Sequence, residues 1–209
     1  TPGQPRHIPY AVADTTERQS PLVQALEQLL NLPDARLTLA DWLALLEVPA
    51  VRTRFALDEA AVQQLQTWLA AAGVRWGLDA QHRMAWGVPA GVPGADQNTW
   101  AFGLRRLLLG YAVGAGAPWG ATLPQAALNG LDAPVISALL DWVEAVNETL
   151  QELSGSKTPA QWGPILVGLV ERFFAATDDA DARLIQRCLA PLDVWLQACE
   201  AAQLASPLP

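Results

Sequence analysis

Lysine is almost absent. Lys157 is the single lysine among 13 cationic side chains, which face 21 carboxylates for a net charge of -8. Non-specific affinity for nucleic acid comes mainly from lysine and arginine displacing counterions, so this balance argues against a domain that holds DNA by its own field. Cysteine is nearly as scarce. Cys188 and Cys199 fall on one predicted helix about 16 Å apart along its axis, too far to bridge, and both read as small buried side chains of a reducing compartment. The two histidines, His7 and His82, have no partner at metal-ligand spacing, so neither a metal nor another cofactor is expected. No run approaches the ~18 apolar residues of a membrane span and no secretory signal is visible, so a cytoplasmic location without membrane contact is expected. With its one methionine, Met84, deep inside, the chain reads as a piece of a longer protein.

Hydrophobic residues make up 51% of the 209 positions and charged residues only 16%. Their spacing is helical. Ser20-Pro21 opens a helix carrying Leu22, Leu26, Leu29 and Leu30 at steps of three and four. Thr38 and Asp41 form a capping box ahead of Trp42-Leu43-Ala44-Leu45-Leu46, and Pro49 ends that helix. Asp58 starts another, with Val62, Leu65 and Leu69 inward and Gly73 beyond its end. Further helices are predicted over 99–113, 134–153, 159–176 and 179–204, with Pro191 kinking or splitting the last. In the 99–113 helix the inward stripe is read as Trp100, Leu104, Leu107, Leu108 and Tyr111. The single strand candidate is 8–13. The expectation is an all-α, irregular multi-helix fold of about seven to nine helices.

Residues 87–97 hold three glycines and two prolines and can only be a loop. The predicted organisation is a lead-in segment over 1–19, a helical lobe over 20–86, the 87–97 loop, and a second helical lobe over 98–205.

Several fragments imitate catalytic motifs. Gly155-Ser156-Lys157-Thr158 resembles the end of a phosphate-binding loop, but it follows a helix and lacks the upstream glycine, and Thr158 serves as a cap. Asp58-Glu59 imitates a magnesium-holding acidic box without the apolar strand that precedes one. Asp178, Asp179 and Asp181 suit a helix start. No catalytic residue is nominated. Trp42, Trp68, Trp100, Trp142 and Trp195 fall among leucines and read as core, whereas Trp76, Trp86 and Trp119 lie in glycine-flanked loops and are the candidates for exposure. Arg75, Trp76, Arg105 and Arg106 are the candidate contacts to DNA or to a neighbouring domain.

Five pieces occur in a suggestive order: Ile8-Pro9-Tyr10-Ala11-Val12-Ala13-Asp14, the leucine-rich helix ending at Leu32-Pro33-Asp34, Leu43 to Pro49, Gly73-Val74-Arg75-Trp76-Gly77, and Thr99-Trp100-x-Phe102-Gly103-Leu104-x-Arg106. In this the chain resembles the RecC family, the gamma subunits of bacterial exodeoxyribonuclease V. The resemblance implies the helical insertion called 2B within a helicase-like region that has lost ATP hydrolysis. It also implies RecB-like and RecD-like partners, and DNA contact in the assembled complex only. The implied role is non-catalytic support of unwinding, strand guidance and Chi-regulated double-strand break repair, the fragment itself being inactive within an ATP-dependent helicase and exonuclease. A free-standing all-α interaction module is the alternative.

Overall fold

The computed structural model describes residues 20–89, 91–114, 116–125 and 130–208. The Ile8 to Asp14 run and the strand candidate at 8–13 lie outside these residues. Nine α-helices follow one another among the described residues: α1 Pro21–Leu30, α2 Leu39–Glu47, α3 Pro49–Arg54, α4 Glu59–Ala72, α5 Ala80–Met84, α6 Trp100–Val113, α7 Ala133–Leu153, α8 Pro159–Phe173 and α9 Asp179–Ala201. Two short 3-10 turns, Leu32–Asp34 and Gly130–Asp132, precede α2 and α7. Among the described residues no strand forms, and the β-bridges are the isolated ones at Trp119 with Thr122 and Lys157 with Leu208. The fold is all-α.

Local chemistry sets the helix ends. At the start of α2 the Thr38 hydroxyl accepts from the Asp41 N–H (3.2 Å) while the Thr38 N–H donates to the Asp41 carboxylate (3.1 Å). Asp58 caps α4 by accepting from the Ala61 N–H at 2.7 Å. Gly73 ends α4 in the left-handed conformation, φ 89°, where a Cβ would be strained. Asp178 accepts from the N–H groups of Ala180 and Asp181 at the start of α9. Asp58 and Asp178, drawn from two of the imitative runs, are therefore caps, while Glu59 pairs with Arg52 at 3.2 Å.

The core is held by aromatic rings contributed from both sides of the 87–97 stretch. Trp42 of α2 stacks on Trp100 of α6 with centroids 3.8 Å apart, and its edge meets Trp142 of α7 at 5.9 Å. Phe55 and Phe173 each meet Trp142 edge to face, lie tilted against one another at 6.0 Å, and carry the cluster to α8. Arg172 of α8 reinforces this side through a two-pronged contact to Glu152 (2.6 and 2.9 Å), a hydrogen bond to the buried Thr149 (2.9 Å) and a looser ion pair with Glu148 (3.5 Å). The hydrogen bonds from Arg172 hold the Glu152 carboxyl below its ordinary range.

Some expectations are corrected by the packing. The buried stripe of α6 is Trp100, Gly103, Leu107 and Gly110, whereas Leu108 and Tyr111 face outward. Gly103 faces the Val74 side chain and Gly110 the Gln125 backbone, each too close for a Cβ, and hydrophobicity carries no signal for that. Leu30 is exposed, and Trp195 is half-buried beside Leu30, Trp162 and Leu208 rather than in the core. Pro191 does not split α9, which runs unbroken through it as the outermost layer against α8. A Cβ at Gly163 of α8 would stand 2.8 Å from Leu196 of α9, so the two helices meet at a small residue.

Candidate functional site

Three distant stretches of chain meet where the fold positions the candidate residues. The Gly77 N–H donates to the Arg36 carbonyl (2.9 Å) and the Gly77 carbonyl accepts from the Trp100 N–H (3.0 Å). One step away, the Arg75 carbonyl accepts from the Leu39 N–H and the Arg75 N–H donates to the Asn98 carbonyl, each at 2.9 Å. The Gly73 to Gly77 segment is thus sandwiched, backbone to backbone, between residues 36–39 and 98–101. Gly77 has φ 78°, and a Cβ there would stand 2.9 Å from the Arg83 stem, so glycine is needed for both conformation and room.

The Thr99-Trp100-x-Phe102-Gly103-Leu104-x-Arg106 motif locks this junction. Thr99, fully buried, caps α6 by accepting from the Phe102 N–H (3.1 Å) and donates to the Asp96 carbonyl (2.7 Å). The Trp100 indole N–H reaches the Leu37 carbonyl at 3.0 Å. Gly103 lets Val74 approach so closely that a Cβ would lie 2.2 Å from its methyl group. Arg106 extends back to the Ala72 carbonyl (2.7 Å) and across to that of Leu123 (3.0 Å), tying the end of α4 to the loop after α6. Each side chain of the motif that faces inward is a structural tie, and none is arranged for bond-making chemistry.

Around the junction runs a ladder of alternating indoles and guanidiniums. Arg36 lies 4.9 Å from the Trp86 ring centroid and 6.0 Å from that of Trp76, and Arg83 covers Trp76 at 4.5 Å. Arg83 is buried and spreads its donors over the carbonyls of Ala95 (3.0 Å), Gln97 (2.7 Å) and Trp76 (2.8 Å), clasping the 87–97 stretch. Burial disfavours its charged form and the Asp96 carboxylate opposes that. Next to it, burial lowers the His82 pKa, against the raising influence of Asp79 and the Ala35 carbonyl, and Arg83 adds to the lowering. The His82 Nδ1 is buried and has no hydrogen-bond partner among the described residues.

The four sequence candidates separate in space. Arg75 is exposed, with its guanidinium folded back on the Val74 carbonyl at 3.1 Å. Trp76 is half-buried inside the ladder. Arg105 points outward beside Asp96 at 3.7 Å, with 55% of its side chain exposed, while its neighbour Arg106 turns inward. Arg36 and Trp86 complete the surface, with Arg83 buried behind them. Sequence reasoning placed Trp86 among the exposed candidates but gave no role to Arg36 or Arg83, because cation–π contacts between loops leave no local spacing signal.

Charge is segregated along the chain in the same sense. Between residues 60 and 131 the only ionised side chains are Arg75, Arg83, Arg105 and Arg106 against Asp79 and Asp96. The carboxylates concentrate on α7, α8 and α9 and in their connections. Three of the four ladder residues, Trp76, Arg83 and Trp86, therefore fall in a stretch of the sequence where cations outnumber carboxylates. Among the described residues no three His, Cys, Asp or Glu side chains are grouped to hold a metal ion, and no helix is long and apolar enough to cross a membrane. Lys157 of the phosphate-loop lookalike lies over the Trp162 ring at 4.9 Å and donates to the Ser154 carbonyl.

Comparison with known proteins assigns the arrangement. Residues 19–209 match the family described as RecBCD enzyme subunit RecC, fourth domain. The chain belongs to the RecC family. It is 34% identical over 181 residues to the RecBCD enzyme subunit RecC of Escherichia coli K12, covering 86% of this chain and 16% of that protein. The RecC subunit of Mycolicibacterium smegmatis is 31% identical over 80% of the chain and that of Haemophilus influenzae 27% over 85%, each match spanning 15% of the relative. The chain thus spans about a sixth of the length of the RecC relatives it matches. Of the resemblance motifs beyond residue 19, Gly73 to Gly77 and the Thr99 to Arg106 motif build the junction, so these two are read as packing motifs.

Proposed function

We propose that this chain is a non-catalytic helical domain of a RecC-type subunit, corresponding to the 2B-like insertion of a helicase-like fold. In that setting it supports unwinding, strand guidance and Chi-regulated double-strand break repair by a RecBCD-type helicase–nuclease, in the cytoplasm, with RecB-like and RecD-like partners reached through the longer subunit. The observation that carries this reading is the family match combined with the use of every inward motif side chain as a tie between backbones. The domain's lobes at 20–86 and 98–205 move little against each other on this view, because the stacked Trp42 and Trp100 join them.

Within the reading, Arg75 and Arg105 are the outward contacts to DNA or to a neighbouring domain, and Trp76 and Arg106 hold the backbone that presents them. DNA is met only in the assembled complex, where other domains hold the strand near these arginines. The test is a RecC-type subunit carrying Arg75→Glu and Arg105→Glu, assembled with its partners. Slower unwinding with an intact complex is expected, and unwinding at the unaltered rate would remove both residues from the role. The exposed Leu108, Tyr111, Val113 and Trp119 favour a second reading, an all-α module that docks another protein. Capture of a partner by the chain alone, lost on Leu108→Asp, distinguishes it.

A further inference from the structure

We infer that Trp86, backed by Arg36, is a stacking seat for one base of a single-stranded polynucleotide. Trp86 leaves the short helix α5 in a turn where its N–H donates to the Arg83 carbonyl at 3.0 Å, so the ring is anchored at its backbone. One face is covered by the Arg36 guanidinium at 4.9 Å, yet 37% of the residue stays exposed. An exposed indole held in place by a cation is pre-organised to receive a second flat group, because the ring need not be ordered when the ligand arrives. Arg36 itself is fixed by Trp76 behind it, and Trp76 by the buried Arg83.

The charge around the seat selects the occupant. Arg36 supplies a cation directly at the seat, and residues 60–131, which include Trp86, carry four arginines against two carboxylates, while helices α7 to α9, with nine carboxylates against three arginines, would repel a polyanion. A flat aromatic seat beside cations fits a base with its adjoining phosphates, the arrangement by which single strands are held with little sequence preference. A duplex offers no unstacked base face to the indole. The other well-exposed tryptophan, Trp119, is 70% exposed, and among the described residues no arginine packs on its ring, so it lacks the backing that Arg36 gives Trp86.

This inference rests on the strand-guidance reading and adds a residue-level ligand to it. The experiment is photo-crosslinking of the 209-residue protein to an iodouracil-substituted oligothymidylate at low ionic strength, with the modified peptide mapped. The expected result is a crosslink on Trp86, retained in Trp86→Phe and lost in Trp86→Leu, with about tenfold weaker binding of the oligonucleotide by the leucine variant. Arg36→Ala should weaken it in the same direction, and Trp119→Leu should leave it unchanged. Thermal melting of each variant separates loss of the seat from loss of fold. Crosslinking centred on Trp119, equal binding of duplex and single strand, or unaltered binding by Trp86→Leu would each overturn the inference. Impaired assembly of a RecC-type complex by Trp86→Leu with unaltered crosslinking would likewise overturn it and mark the seat as a protein contact. Absence of any Trp86 crosslink, with unwinding still slowed by the Arg75 and Arg105 variants, would sink the seat and leave the broader reading standing.

Discussion

Trp100→Ala removes the side chain on which the junction and the aromatic core both depend. The indole is 1% exposed, stacks on Trp42 at 3.8 Å and donates to the Leu37 carbonyl at 3.0 Å. Truncating a buried tryptophan costs about 3–5 kcal/mol through lost burial and the residual cavity. The Leu37 carbonyl, belonging to a residue that is itself 1% exposed at φ 54°, loses its donor, for a further penalty of about 1–3 kcal/mol where water cannot replace it. The two losses share one site and do not simply add, so about 4 kcal/mol or more is expected. Against a typical urea slope of about 2 kcal/mol per molar, the midpoint should fall by about 2 M. Trp100→Phe separates the contributions, since it keeps a stacking ring and loses only the donor and some volume. It should fall between the wild-type protein and the alanine variant. Urea unfolding followed by far-ultraviolet circular dichroism measures all three. A Trp100→Ala midpoint within about 0.3 M of the wild type, accompanied by impaired strand handling in an assembled complex, would refute the structural reading and make Trp100 a ligand contact.

Gly103→Ala should destabilise by about 1–3 kcal/mol because its Cβ would meet Val74 at 2.2 Å, and Val74→Ala in the same chain should recover part of the loss in a thermal melt. Arg172→Leu should cost about 1–3 kcal/mol by leaving Glu152 and Thr149 without their donor, and a melt no different from wild type would show that this contact adds nothing. The His82 pKa is lowered in the folded protein, so below about pH 6.5 the unfolded chain takes up the proton first and stability falls with acidification toward the folded pKa. His82→Gln should flatten this part of the stability profile, and an identical slope in the variant would remove His82 as its source. The purified chain should show no measurable affinity for single- or double-stranded DNA near physiological salt, the Trp86 seat being detectable only at low ionic strength, and tight salt-sensitive binding lost on substituting Arg75 and Arg105 would show the wrong role.

Helices were legible in the sequence wherever a cap and a three-to-four periodicity coincided, as at Thr38 with Asp41, Asp58, Thr99 and Gly73. The same rule misplaced the inward face of α6, since the closest contacts of that helix are made by Gly103 and Gly110 and Leu108 and Tyr111 are left outside. Trp195 reads as core by spacing, yet α9 is packed on one side only and leaves it half-buried. The resemblance motifs predicted membership in the family but not their purpose, which depends on residues 36–39, 73–77 and 98–101 pairing across distances that no local pattern encodes. Arg75 is legible in sequence as the neighbour of the loop tryptophan Trp76 and Arg105 as one of a cationic pair, while Arg36 and Arg83 emerge only when the loops fold their guanidiniums onto Trp76 and Trp86. Arg106 was selected as one of a pair, and its geometry separates it from Arg105 because adjacent positions on a helix point about 100° apart.

The central claim is that this domain is a non-catalytic part of the strand-handling machinery of a RecC-type subunit. The most direct measurement is duplex unwinding by a RecBCD-type complex assembled with the longer subunit, with and without the residues corresponding to 20–208, alongside ATP hydrolysis and DNA cleavage by the isolated chain. Loss of unwinding on deletion, with neither activity in the isolated chain, is the predicted result. Unwinding at the full rate without the domain, or turnover by the isolated chain that is abolished by substituting one of its carboxylates, would contradict it.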